Sequence, residues 1–326
     1  MAEPIGLDPH RPEALRIAQS LAMDGHSAEL VWSLTEKGVR CILLKGPSLA
    51  WLYGGARTYT DTDLLISETN ISSAEGVLEE AGFRQVHLLS LPYDRPWHAL
   101  TWARADGWTV DLHRTLIGIG VSAEQVWTIL SEKTATQVIG GRRIEVLSDP
   151  AMALHVALHA AQHGIRVGRP LEDLTRALVK IPFDAWRGAV VMAARLDATD
   201  AFAAGLRLTR QGEILASDLG LPPNASVHVA LRSSTAPPLS LGFDWLATID
   251  GNVARIKFLR HKLLPSKSFM WDWSPLARRG RMGLWMAYFA RPFWIAARLI
   301  PAFRAWRRAT KQVPSASHSD RPSESV

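Results

Sequence analysis

Two aspartates one residue apart, Asp61 and Asp63, follow an apolar run, Cys41-Ile42-Leu43-Leu44, and a turn-forming Lys45-Gly46-Pro47-Ser48. In an extended strand alternate side chains share a face, so the two carboxylates stand side by side. Like charges so placed repel. Beside the apolar Leu64-Leu65-Ile66 that comes next they are costly unless a cation compensates them. Magnesium, or manganese in its place, meets that need, because such hard ions take oxygen ligands and bridge carboxylates to the phosphates of a nucleotide. An Asp-Thr-Asp turn at a strand end can also sit in water with no ion. What points away from that is the order around it: apolar strand, Gly-x-Ser, a short helix-like Leu49 to Tyr53, a Gly54-Gly55 loop, then the acidic pair.

A third carboxylate has the same kind of setting. His98 to Ala103 is strand-like, Asp106-Gly107 is a hairpin signal, and Trp108 to His113 reads as the returning strand. Thr109, Asp111 and His113 then share one face, away from Trp108, Val110 and Leu112. If that face adjoins Asp61 and Asp63, three carboxylates converge, as two metal ions roughly 3.5–4 Å apart require. His113, on the same face, is placed to touch substrate. Gly46 lacks a Cβ and lets backbone approach a phosphate, the turn after it offers free N–H groups to an anion, and Lys45 is either a phosphate cation or a snorkelling surface lysine. Neither a P-loop nor a Gly-x-Gly-x-x-Gly turn occurs here.

The stretch Leu43 to Ala50, with Leu52-Tyr53, Arg57, Asp61-Thr62-Asp63-Leu64-Leu65 and Val110-Asp111-Leu112-His113, resembles the nucleotidyltransferase superfamily that includes DNA polymerase beta. It is more similar still to a bacterial family of uncharacterised nucleotidyltransferases, some found near lasso-peptide biosynthesis genes. That likeness extends to His155, His159 and His163, to Leu171-Glu172-Asp173-Leu174 and to Phe258 through Pro265, so it spans about Val31 to Pro265. One departure is that Pro47 separates the glycine from Ser48, where the superfamily has a Gly-Ser pair. The resemblance implies catalytic, metal-holding Asp61, Asp63 and Asp111, with Lys45, Gly46, Ser48 and Arg57 binding a nucleoside triphosphate such as ATP. It implies transfer of a nucleoside monophosphate to an acceptor hydroxyl, with pyrophosphate released. The acceptor is open among a peptide, as in lasso-peptide maturation, a small molecule and RNA. Two alternatives remain: an RNA-modifying toxin or regulator of this type, and a nucleotide-binding module without turnover.

The elements that must position these residues follow from periodicity. A helix is expected over Pro12 to Lys37, another over Ser72 to Ala81, and a strand over Phe83 to Leu89. Val121 to Lys133 reads as helix and Arg142 to Leu147 as a strand closing the first domain. Asp149-Pro150 starts a run of 3.6-period segments through about Leu215, and Leu221 to Asn224 and Ser233 to Pro238 read as loops. The fold class is α+β: a nucleotidyltransferase-like mixed sheet with flanking helices, then a mostly helical C-terminal domain. The expected division is 1–148 catalytic, 149–265 helical, 266–312 basic amphipathic helices and 313–326 a disordered Ser/Pro tail. His155, His159 and His163 lie along one helix face; they pack between helices or line an acceptor pocket, one of them as a general base.

With 47% hydrophobic residues in 326, the chain can bury a large core. A single cysteine, Cys41, excludes intrachain disulfides and Cys-rich zinc sites, so with no secretory signal the expected compartment is the cytoplasm. Charge is uneven. Between Arg255 and Lys311 there are fourteen Lys or Arg and one acid, Asp272, together with five of the thirteen tryptophans. Arginines interleaved with aromatics over Leu284 to Ala309 suit an anionic membrane surface, which allows a peripheral location at the inner membrane. The same residues can also grip nucleic acid or simply pack on the core. Pro292 and Pro301 are expected to kink or divide this segment.

Overall fold

The computed structural model describes residues 11–54, 59, 61–86, 98–223, 225–249 and 251–312. In chain order the elements are α1 (Arg11–Glu36), β1 (Cys41–Leu43), β2 (Asp61–Ile66), α2 (Ile71–Glu80), β3 (Arg84–Val86), β4 (Ala99–Ala103) and β5 (Thr109–His113). Then come α3 (Ala123–Ser131), β6 (Thr134–Ile139), β7 (Arg142–Leu147), α4 (Asp149–His163), α5 (Gly168–Lys180), α6 (Phe183–Arg195), α7 (Thr199–Leu206) and α8 (Arg210–Asp218). The chain continues as α9 (Val227–Ser233), α10 (Ser240–Thr248), α11 (Asn252–Leu263), α12 (Lys267–Trp273) and α13 (Gly280–Gln312). Arg57, the outer part of the strand expected to reach Leu89, Asn224 and the tail expected to be disordered all lie outside the described residues.

Among the described residues the strands form one mixed sheet in the order β3-β4-β5-β2-β1-β7-β6. β2 runs antiparallel to β1 and parallel to β5, and β7 lies parallel to β1 on the other side. Period-two alternation sends the two faces of these strands to different cores. Cys41, Leu43, Leu64, Ile66, Val110 and Leu112 pack with Leu34 of α1 and Leu78 of α2. Ile42, Leu65 and Leu147 pack on the opposite face with Met152 and Val156 of α4, in a core that continues through Trp186 of α6 and Phe202 of α7. Asp61, Asp63, Asp111 and His113 are in phase with Leu65, so they face the helical half of the molecule.

One strand was not expected, one helix-like segment is longer than expected, and one helix is not divided. Thr134 to Ile139 is a strand, β6, paired antiparallel with β7 across Gly140-Gly141. Both glycines have positive φ, 55° and 77°, as a two-residue hairpin turn requires, and a side chain at Gly140 would strike the Asp24 carbonyl oxygen at 2.7 Å. The segment after Lys45 is a 3-10 helix over Gly46–Tyr53, with Pro47 in its first turn. Finally, α13 is undivided over 33 residues although Pro292 and Pro301 lie inside it. Both prolines are exposed, so the carbonyls they strand one turn back, on Tyr288 and Ala297, can be hydrated.

α13 docks on α9, α10 and α12. Its anchor is Arg291, buried, with Nε donating to the Lys262 carbonyl at 3.2 Å and the guanidinium over the Phe269 and Trp273 rings at 4.5 and 5.1 Å. No helix among the described residues is long and apolar enough to cross a membrane.

Candidate active site

Parallel pairing of β2 with β5 sets Asp63 opposite Asp111 and Leu65 opposite His113. Ligand atoms of Asp63, Asp111 and His113 lie within 4.8 Å of one another. Asp63 is 1% exposed, and its Oδ1 accepts from Lys45 Nζ at 3.0 Å and from His113 Nε2 at 2.8 Å. Burial alone pushes the Asp63 carboxyl up, but the Lys45 ammonium and the His113 hydrogen bond reverse this and hold it well below the usual carboxylate range. Part of the compensation that the acidic pair demands is therefore supplied by Lys45. The other Asp63 oxygen, Oδ2, and Asp111 Oδ1 are buried without a hydrogen-bond partner among the described residues. Two buried, unpartnered carboxylate oxygens on adjacent strands fit a hard divalent cation.

Asp61 is outside this tight group. It starts β2 opposite Thr109, half-buried, about two strand rises from Asp63, or roughly 6.6 Å along the chain. The expected trio of aspartates is thus a compact Asp63, Asp111 and His113 with Asp61 at its open end.

The residue between the aspartates fixes them from behind. Thr62 is fully buried, and its hydroxyl bonds the Ser27 hydroxyl of α1 at 2.8 Å and accepts from Trp108 Nε1 at 3.1 Å. Gly46 adopts φ 69°, which no β-branched residue would tolerate, and its missing Cβ points at the Asp61 carbonyl and the Tyr59 ring. Its conformation is thus needed for the turn itself. Ser48 is wholly buried and its Oγ also lacks a partner among the described residues. The 3-10 turn is clamped from the helical side: Tyr53 donates to buried Asp173 of α5 at 2.5 Å, and Lys180 donates to the Trp51 carbonyl at 2.9 Å.

Histidines complete the wall. The rings of His155, His159 and His163 form a row on α4, His159 lying 6.1 Å from His155 and 4.8 Å from His163. Lys45 and Asp63 are among the charges that act on His159, which places this ring near the acidic group. Burial first, then Lys45, pushes both His159 and His163 below the usual histidine range. His98, 6.1 Å from the His113 ring, is pushed down to about 4, by burial first and then by His113, Arg232 and Lys45. His98 escapes a reading of the sequence because only tertiary packing brings it here, whereas His159 belongs to the row for which an acceptor pocket was one of two readings. The available signal for His98 was its place at the start of the strand-like segment that pairs with the strand ending in His113. From His98 a cavity of about 580 Å³ leads away between the 115–120 loop, α7 and α9, with Leu116, Gly118, Asp197, Asp200 and Arg232 in its lining.

A family model described as uncharacterised nucleotidyltransferase matches residues 13–211. No curated protein matches the chain. Among solved structures, ANT(2″)-Ia in complex with adenylyl-2″-tobramycin is similar at 14% identity and a TM-score of 0.40, over 53% of this chain and 97% of that one. The lincosamide antibiotic adenylyltransferase LnuA, lincomycin-bound, has 14% identity and a TM-score of 0.31 over 46% of this chain and 91% of its own. An antigenic nucleotidyltransferase-like protein from Paracoccidioides brasiliensis has 17% identity and a TM-score of 0.35, over 57% and 92% respectively.

Proposed function

The chain belongs to the uncharacterised nucleotidyltransferase family, and from that membership we propose that it moves a nucleoside monophosphate from a nucleoside triphosphate to an acceptor hydroxyl. The observation that carries this reading is the buried group of Asp63, Asp111 and His113, whose ligand atoms lie within 4.8 Å of one another and in which each aspartate keeps a buried carboxylate oxygen without a partner among the described residues. Asp63 and Asp111, with Asp61 at the open end and His113 beside them, would hold magnesium or manganese. When bound, such an ion neutralises phosphate charge and acidifies a hydroxyl.

The chain's own residues account for the remaining roles. The acceptor oxygen bonds to the α-phosphorus as the bond from that phosphorus to the bridging oxygen of the β-phosphate breaks, and pyrophosphate leaves. The hydroxyl proton passes to the Asp111 carboxylate. Lys45, with Arg57 and the backbone N–H groups of the Gly46–Ser48 turn, binds the triphosphate. His113 holds Asp63 in orientation through its 2.8 Å hydrogen bond. Burial pushes the His98 and His159 imidazoles toward the neutral form, so Arg232 is the cation that the cavity offers an acceptor.

The acceptor reaches Asp111 through the cavity that begins at His98. Its volume, about 580 Å³, suits a small molecule or one side chain of a peptide, such as a lasso-peptide precursor, and excludes a nucleic-acid duplex. Asp197 and Asp200 in its lining favour an acceptor that carries hydroxyl or amino groups. The test is release of labelled pyrophosphate from nucleoside triphosphates with magnesium or manganese and a panel of acceptors. Asp61→Ala, Asp63→Ala and Asp111→Asn should each abolish it, and undiminished turnover in any of them ends this mechanism.

A further inference from the structure

α13 leaves one long face uncovered. Its docked side carries buried Ala287, Arg291, Ala302 and Ala309, whereas Met282, Met286, Phe289, Phe293 and Ile300 are each more than half exposed. At about 100° per residue these five fall within roughly 60° of one line, opposite the docked side, with Trp285 along its edge. The stripe continues to Phe303, about 32 Å at the α-helical rise. Cations bracket it: Arg278, Arg279 and Arg281 before, and Arg304, Arg307 and Arg308 after, with no acidic residue from Gly280 to Gln312.

Each end also holds a groove with an apolar floor and a cationic rim. One, of about 590 Å³, has Phe243, Ile300 and Phe303 beneath Arg304, Arg307 and Arg308. The other, of about 720 Å³, sets Trp271 and Trp285 against Lys267 and Arg281. An aromatic floor under a guanidinium rim takes an acyl glycerol and its phosphate together.

We propose that α13 docks this protein in the plane of an anionic phospholipid membrane, its outward stripe in the acyl boundary and its terminal grooves on phosphate headgroups. The stripe is one-sided and the helix is not apolar enough to span, so it lies in the interface. Charge selects the occupant. A second copy apposed through the same stripe would bring basic ends together with no carboxylate in either helix to neutralise them. Nucleic acid would meet the arginines but leave the aromatic stripe in water. Neither objection applies to an anionic bilayer. This surface is separate from the acidic site, and the inference stands whether or not the chain transfers nucleotides.

The experiment is co-sedimentation of the full chain with vesicles of phosphatidylcholine alone or mixed with phosphatidylglycerol, at low and high salt. Binding is expected to the mixed vesicles only, weakening as salt rises. Phe289→Asp with Phe293→Asp should lower the partition coefficient at least roughly tenfold, because each phenylalanine loses its burial. Arg304→Glu with Arg307→Glu should lower it roughly fivefold or more per cation removed. Because a variant can misfold, the unaltered chain is also read directly: brominated lipid should quench tryptophan emission, and Trp285→Phe should remove part of that quenching. Any one of three results overturns the proposal: no binding to mixed vesicles at low salt, binding that both double variants leave intact, or a stripe-dependent dimer or RNA complex in a chain that vesicles do not bind.

Discussion

Asp63 keeps both carboxylate oxygens inside the protein, one on Lys45 and His113 and the other unpartnered. An ion pair taken out of water gains little net stability, but removing one member strands the other, at a cost of several kcal/mol. Asp63→Asn is therefore expected to cost about 3 kcal/mol in urea unfolding and to abolish pyrophosphate release. Adding Lys45→Met should recover most of that stability while activity stays lost. An Asp63→Asn chain as stable as the parent would mean that the pair holds nothing together. The alternation of side chains along a strand made Asp63, Asp111 and His113 legible in the sequence. That Lys45 would turn onto Asp63 was not, since a strand-end lysine has the same local pattern whether it meets a carboxylate, a phosphate or water.

Register is what brings the aspartates together, and Thr62 is where β2 is held to its neighbours. Its side chain points to the opposite face from the carboxylates, toward α1 through Ser27 and toward Trp108, the residue just before β5. Thr62→Val keeps the bulk but leaves a buried hydroxyl and an indole N–H unpartnered, at about 2 kcal/mol. Thermal melting should report that loss, and pyrophosphate release should fall with it as β2 loosens against β5; unchanged melting would place the support of β2 elsewhere. Hairpins and long amphipathic helices were readable as elements, because Asp106-Gly107 and the 3.6 period are local signals. β6 was overlooked despite Gly140-Gly141 between alternating residues, a two-glycine turn that only a hairpin uses fully. The two prolines of α13 misled in the other direction, since their effect depends on whether the freed carbonyls face solvent.

The molecule as a whole sets a carboxylate-bearing sheet face against a helical half that supplies histidines and a cavity, and it keeps the basic helix α13 away on α9, α10 and α12. Which helix would cover the acidic face is a matter of long-range packing, so the spacing put the His159 row on one helix face and left open whether it packs between helices or lines the site. This arrangement makes the acidic site measurable through folding alone. Asp63, Asp111 and His113 come together only in the folded chain, so a cation that binds this group stabilises the native state by mass action. At a hundredfold excess over its dissociation constant, magnesium or manganese is expected to add about 2.7 kcal/mol, a rise in melting temperature that a chelator reverses. Asp111→Asn should abolish the rise, since one Asp111 oxygen becomes an amide or turns away. Phe289→Asp with Phe293→Asp should preserve it in full, because the outer face of α13 shares no residue with the sheet. If the parent chain melts at one temperature with or without either ion, this group does not hold a cation, and the assignment of metal-dependent transfer to this face fails with it.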